Sequence, residues 1–150
     1  MQSLPKLDFP PCRLRVSRRD GDDLVWDALR RRWLVLTPEE WVRRHLLAWL
    51  VGRCGVPAQS IGQEYPVDVN GQRQRADVVV CDDAGRPFLV AECKAPTVAI
   101  DRAVLDQVVR YNSVLGARYV MLTNGLRHFC CEYSDGEYRL VDRLPFAGTE

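Results

Sequence analysis

Two neighbouring stretches decide how this chain folds: Arg75-Ala76-Asp77-Val78-Val79-Val80-Cys81 and, beyond Asp82-Asp83-Ala84-Gly85, Pro87-Phe88-Leu89-Val90-Ala91-Glu92-Cys93-Lys94. Both are rich in β-branched and apolar residues and are separated by turn formers, the signature of a β-hairpin. Side chains alternate faces along a strand, so Phe88, Val90, Glu92 and Lys94 share one face and Leu89, Ala91 and Cys93 the other. Two charges thus close an apolar face. On the first strand Asp77 stands among Ala76, Val78, Val79 and Val80, surroundings in which a carboxylate is costly unless it is paired or binds a metal. With the hairpin turning near residues 82–86, residue 77 falls opposite roughly residue 91, so Asp77 and Glu92 can approach each other. Two carboxylates about 4 Å apart repel by ~4 kcal/mol at an effective dielectric of about 20. A divalent cation would turn that penalty into a binding site, and hard oxygen donors with few histidines nearby point to magnesium or manganese. The carbonyl of Cys93 can add a ligand, and Lys94, one pleat beyond Glu92, can hold a water or steady charge on a phosphoryl oxygen. The same charges also permit a simpler reading, a partly buried ion pair of Lys94 with one carboxylate and the other left spare.

Outward from the hairpin, Ile61–Val69 reads as a preceding strand joined through the two-residue turn Asn70-Gly71. Two short turns in succession imply an antiparallel meander over 61–69, 75–81 and 87–94. Before it, Thr37-Pro38-Glu39-Glu40 is a helix start: Thr37 can cap, Pro38 suits the first helical position, and Glu40 stands where a capping box places its carboxylate. Val42, Leu46, Trp49 and Leu50 fall on one helical face, with Gly52 or Gly55 as the stop. After the hairpin, Asp101 can cap a second helix through Leu115, with Val104, Leu105, Val108 and Leu115 inward and Gly116 ending it. Arg118–Thr123 is a further strand, and the strand–helix–strand order over 87–123 suits a right-handed parallel crossover. Asn124-Gly125 turns into Arg127–Tyr133, and Ser134-Asp135-Gly136 into Glu137–Leu144. At the N-terminus, Pro5, Pro10 and Pro11 suggest an extended arm over the first ten residues. Residues 12–16 alternate as a strand with an arginine face, to which 24–27 and 33–36 can pair as a small sheet, with 27–32 as the link or as a helical turn. The expected fold is α/β (α+β): an α–β–β–β–α–β core with a mixed central sheet flanked by helices, and extra strands at both ends. It is expected as a single domain over 1–150, with its core at about 37–133 and 1–36 as an N-terminal extension.

The 150 residues carry 21 Lys and Arg against 20 Asp and Glu, a net charge of +1 that argues against a generically basic nucleic-acid coat. The charge is uneven: residues 1–55 are net +4 and the remainder net −3. Almost all of the positive charge is arginine, Lys6 and Lys94 being the only lysines. Apolar runs are too short to span a bilayer, and the first residues lack a signal peptide's hydrophobic core. Six cysteines without a CxxC pair, and two histidines 83 residues apart, argue against zinc and against a triad hydrolase. Cytoplasm is therefore the expected compartment. No GxxxxGK[ST] or GxGxxG is present, so no nucleotide cofactor is expected. Trp26, Trp33, Trp41 and Trp49 read as core or interface anchors. Arg30-Arg31-Arg32 and Arg43-Arg44 read as solvated faces or as phosphate contacts.

Asp77, fourteen intervening residues, then Glu92-Cys93-Lys94 resembles the D…(D/E)xK signature of the PD-(D/E)XK nuclease-like superfamily. More closely, five segments in order resemble the N-terminal nuclease domain of type I restriction enzyme R subunits: Thr37–Arg43, Arg75-Ala76-Asp77, Val90–Pro96, Gln107–Asn112 and Leu122–Gly125. The resemblance runs from about residue 30 to 133. It implies that Asp77 and Glu92 are metal ligands and that Lys94 is the base that positions the water. It further implies that Glu40, with Glu39 as its rival, is an accessory acid on the first helix. Gln107 and Tyr111, at i and i+4, would be the Gln-x-x-x-Tyr element flanking the active site. The expected activity is magnesium- or manganese-dependent hydrolysis of phosphodiester bonds in nucleic acid, most simply DNA, with restriction-modification subunits as candidate partners. The alternative is a non-catalytic module that keeps the fold and binds DNA or a partner. Type I R subunits continue into an ATP-driven motor; this chain has neither its length nor a Walker motif, so the expectation is a nuclease-like domain without it.

Overall fold

The computed structural model describes residues 3–146. The chain forms an α+β arrangement of two sheets and two long helices. A three-stranded antiparallel sheet holds β1 (Val16–Arg19), β2 (Asp22–Asp27) and β3 (Arg32–Val35). A six-stranded mixed sheet runs in chain order through β4 (Ile61–Val69), β5 (Gln72–Cys81), β6 (Pro87–Cys93), β7 (Tyr119–Thr123), β8 (His128–Ser134) and β9 (Glu137–Val141). Helix α1 (Pro38–Gly52) links the two sheets, a 3-10 turn (Ala58–Ser60) leads into β4, and α2 (Arg102–Leu115) bridges β6 and β7. The β6–β7 pair is parallel and every other pair of the large sheet antiparallel, as the expected crossover requires.

Local chemistry sets these limits. Thr37 caps α1, its hydroxyl accepting the Glu40 N–H at 3.0 Å, and Asp101 caps α2, accepting the Val104 N–H at 3.1 Å. Gly116 ends α2 in the left-handed conformation. Only half of the expected capping box at α1 forms, because the Glu40 side chain turns to two arginines instead. Strand β5 starts at Gln72 and not at Arg75, since the Asn70-Gly71 turn pairs Val69 with Gln72 directly. The first strand lies at Val16–Arg19 and not at 12–16. Asp20-Gly21 forms a two-residue turn with positive φ at both positions, which pairs Arg19 with Asp22 and draws the strand toward it. The 27–32 link is a tight turn between strands.

Each helix covers one face of the large sheet. Val42, Leu46, Leu47 and Leu50 of α1 pack on Val78, Val80, Leu89, Ala91 and Met121. Val104, Val108 and Tyr111 of α2 pack on Val79, Val90, Val120 and Leu122. Inside α2 the buried Asn112 replaces the expected apolar Leu105 and Leu115, which are only partly covered. Its amide clasps the Ala117 N–H and carbonyl and the Tyr138 hydroxyl.

The proline-rich arm is extended and docked. Leu7 enters the core beside Val42, and the Asp8 N–H donates to the Gly125 carbonyl at 2.7 Å. Gly125 has φ of +86°, and a Cβ there would lie 2.7 Å from Leu7 Cδ2 and 3.2 Å from Val42 Cγ2. Gly125→Ala is expected to cost about 2 kcal/mol, through strain at positive φ plus overpacking. A denaturant titration checks this, and an unchanged midpoint would show that the arm yields freely.

Candidate functional site

The paired register of β5 and β6 closes with Val78 opposite Ala91. At the next step the two strands exchange side-chain bonds: the Asp77 N–H donates to Glu92 Oε1 at 3.0 Å, and the Cys93 N–H donates to Asp77 Oδ2 at 2.8 Å. Continuing that register, Asp77 faces Glu92 and not residue 91, one position from the sequence expectation. The two carboxylates therefore sit at one point in the sheet, each holding the other strand's backbone.

Glu92 is 3 % exposed, and burial followed by the neighbouring Asp77 charge pushes its carboxyl up to about 8. A donor set of two hard carboxylates whose charges oppose each other suits a divalent ion. Among the described residues no group of three or more His, Cys, Asp and Glu side chains is arranged to hold a metal. Asp77, Glu92 and the Cys93 carbonyl are the protein groups here that could hold such an ion, with water completing its shell. The Cys93 thiol is fully buried, and that burial raises it well above the ordinary range, so it stays a neutral core group.

Lys94 follows directly, its N–H donating to the Thr123 carbonyl at 2.8 Å. Its Nζ donates to Gln107 Oε1 at 3.2 Å, and Gln107 Nε2 bonds the Tyr111 hydroxyl at 3.0 Å. Gln107 and Tyr111, one turn apart on α2, thus form a relay that restrains the ammonium, which lies within electrostatic reach of Glu92 but forms no ion pair with a carboxylate among the described residues. Asn124 steadies the link between Lys94 and α2, donating to the Val98 carbonyl at 2.8 Å.

The two glutamates of α1 part company. Glu40 is buried and its carboxylate is taken by arginines: Arg43 Nη2 at 2.7 Å, Arg43 Nε at 2.9 Å and Arg44 Nε at 3.0 Å. Glu39 lies within electrostatic reach of Asp77 and Lys94, and partial desolvation followed by the Asp77 charge raises its carboxyl. The arrangement brings together Asp77, Glu92, Lys94, Gln107 and Tyr111; Glu39 lies in electrostatic reach of Asp77 and Lys94, and Glu40 connects to Asp77 through Arg43.

Arg43 and Arg44 are neither a solvated face nor a phosphate surface. Both are buried in a charge network. Arg44 Nη1 reaches Asp27 Oδ1 at 2.8 Å, and Arg30 Nε reaches Asp27 Oδ2 at 2.5 Å. Gln63 bonds both Arg44 and Asp27. Arg43 extends to Glu64 at 3.7 Å and to Asp77 Oδ1 at 4.0 Å. Burial opposes the Arg43 charge, but hydrogen bonds to Glu40 and the charges of Glu40 and Asp77 outweigh it and raise its pKa. The chain Asp27–Arg44–Glu40–Arg43–Asp77 ties the three-stranded sheet to the carboxylate pair. The spacing of Glu40 from Arg43 and Arg44, at i+3 and i+4 among core residues, was the available signal; nothing in the sequence marks Asp27.

Among the described residues no helix is long and apolar enough to cross a membrane, and all six cysteines are unpaired. No curated protein matches the chain. A solved structure, a fragment of a putative HsdR subunit of a type I restriction enzyme from Vibrio vulnificus YJ016, is similar in fold at a TM-score of 0.57 and 22% identity. The similarity covers 74% of this chain and 24% of that one, so the present chain spans about a quarter of its length. Residues 38–145, from the first turn of α1 past the end of β9, match the family described as type I restriction enzyme R protein N terminus, and the chain belongs to that family.

Proposed function

We propose that this protein is a metal-dependent phosphodiesterase of the PD-(D/E)XK type acting on nucleic acid, most simply DNA, in the cytoplasm. The observation that carries the reading is the meeting of Asp77 and Glu92 at the end of the β5–β6 register, with Lys94 restrained by Gln107 within electrostatic reach of Glu92. Family membership supports a restriction-modification setting, with other subunits of such a system as partners. The six free thiols are consistent with a reducing compartment.

In this reading Asp77 and Glu92, with the Cys93 carbonyl, hold magnesium or manganese. The ion, when bound, supplies charge stabilisation at the phosphoryl oxygen and a more acidic water. Lys94 Nζ donates to the attacking water or to a phosphoryl oxygen, restrained in rotamer and direction by Gln107 Oε1. Tyr111 fixes the Gln107 amide so that its oxygen, and not its nitrogen, faces the ammonium. Glu39, at the first turn of α1, takes the accessory-acid place and orders water, while Glu40 acts as a buttress for Arg43.

The test is cleavage of supercoiled plasmid and of single-stranded DNA with magnesium or manganese present. Lys94→Ala is expected to lower the rate about a hundredfold, the scale of a positioned proton-handling group, with the melting temperature nearly unchanged. Cleavage that survives intact in Lys94→Ala, or that proceeds equally in chelator, would overturn the reading. Metal-independent binding without cleavage would identify the binding-module alternative.

A further inference from the structure

The outer face of the three-stranded sheet has a composition that the cleavage chemistry leaves unused. Trp26 pairs with Trp33 across β2 and β3, and the Trp26 N–H donates to the Arg15 carbonyl at 2.9 Å. Arg15, Trp26 and Trp33 thus form one cross-strand row. Val25, the neighbour of Trp26 on the strand, is fully buried, so alternation turns this row away from the core. The two indoles meet edge-on with centroids 5.3 Å apart. The Arg15 guanidinium lies over both, 5.1 Å and 5.4 Å from the centroids, and that of Arg19 lies 5.8 Å from Trp33.

A guanidinium stacked on an indole is restrained in rotamer while its N–H donors stay free along the edge, the form in which arginine meets phosphate. Arg13, Arg15 and Arg19 are all exposed, and among the described residues none of them has a carboxylate within ion-pair distance. Arg13, Arg15, Ser17 and Arg19 recur at every second residue, about 6.8 Å per step in extended chain. Arg13 and Arg15 also border a surface groove of about 400 Å³. Two arginines stacked on indoles, Arg15 and Arg19, with Arg13 exposed beyond them, complement a polyanion whose charge repeats along its length.

We propose that this face is a second nucleic-acid contact, gripping the phosphodiester backbone of substrate outside the cleavage site through Arg15 and Arg19. The choice of nucleic acid over an acidic protein rests on the phosphodiesterase reading above. Trp26 and Trp33 are positioning residues that hold the arginines edge-outward. The contact belongs to the segment that precedes the matched family region of 38–145, and the Asp27–Arg44 pair at 2.8 Å joins its sheet to α1.

The experiment is binding of the full chain to a fluorescein-labelled DNA duplex, followed by anisotropy in chelator so that cleavage does not intervene. With salt varied between about 50 and 200 mM, the Arg15→Ala/Arg19→Ala protein is expected to bind about tenfold more weakly. Its log–log salt slope should fall by about 2, close to one unit per lost phosphate contact. Trp33→Leu, which keeps both charges, is expected to weaken binding about threefold with a smaller change of slope. Unchanged affinity and slope in the double variant would overturn the proposal. So would tight binding of poly-glutamate that is lost in the same variant, which would mark the face as a site for acidic protein. The two readings fail separately. Wild-type protein that binds DNA through these arginines but never cleaves it refutes the nuclease and not the contact; cleavage and binding equal to wild type in the double variant refute the contact and not the nuclease.

Discussion

Asp27→Asn is expected to destabilise the protein by about 3 to 5 kcal/mol, the cost of removing one partner from a buried ion pair. Asp27 is fully buried and accepts from the Leu29 and Arg30 N–H groups, from Arg30 Nε and from Gln63 Nε2, besides its ion pair with Arg44. Burial works to raise its carboxyl, yet the Arg30 hydrogen bond, the Arg44 charge and Gln63 together bring it below the usual range. Arg44 has the opposite balance: burial lowers its pKa, while Glu40 and Asp27 hold it up. Asparagine keeps the shape and most of the hydrogen bonds but withdraws the countercharge, leaving two buried guanidiniums with one fewer anion. For a domain of this size the loss corresponds to a fall in melting temperature of roughly 10 °C. Arg102→Ala serves as the contrast. It breaks an ion pair with Asp106 at 3.1 Å whose side chains are 85% and 56% exposed, and is expected to change stability by less than about 0.5 kcal/mol. Equal, small shifts in both variants would show that the network is a surface-like pair and not a structural tie.

The two changes also separate what the sequence made legible from what it hid. Asn70-Gly71, Gly116 and the caps Thr37 and Asp101 are local devices whose geometry follows from residue type, and the elements they bound match the expectation closely. The hairpin pairing of Asp77 with Glu92 was legible to within one residue, because strand period and turn position fix it. What the sequence hid is tertiary. That Glu40 turns to Arg43 and Arg44 depends on where α1 rests, and Asp27, which shares Arg44 with it, lies 13 residues upstream of Glu40 in another sheet. The Asp20-Gly21 turn was readable but competed with a cleaner alternation at 12–16, and pairing chose the turn. Arg43 and Arg44 look like a solvated run because a one-dimensional pattern cannot show that a countercharge waits inside.

Glu92→Gln is expected to weaken the fall of folding stability with rising pH in the metal-free protein and to lower cleavage at least about a thousandfold, ~4 kcal/mol of barrier. The folded Glu92 carboxyl stands at about 8 against 4.5 for the free group, with burial the larger cause and Asp77 the next. A carboxyl raised on folding stabilises fully below the unfolded value, and that contribution is lost as pH rises through the folded one. Wild-type protein in chelator should therefore lose stability between about pH 5 and pH 8, read as a falling melting temperature. The substituted glutamine is neutral throughout, imitates the protonated form of Glu92, and should remove that group's share of the slope over the window, leaving the smaller contributions of Glu39 and His45. Saturating magnesium should remove the wild-type slope as well, since a cation takes the place of the proton between the two carboxylates. Titration calorimetry at about pH 7 in buffers of different ionisation enthalpy should then record the release of up to about one proton per ion bound, and none in Glu92→Gln. The combination is diagnostic because a merely structural carboxylate would couple to pH but not to metal. An unchanged pH slope in Glu92→Gln would place the titrating proton elsewhere, and wild-type cleavage in that variant would remove Glu92 from the site.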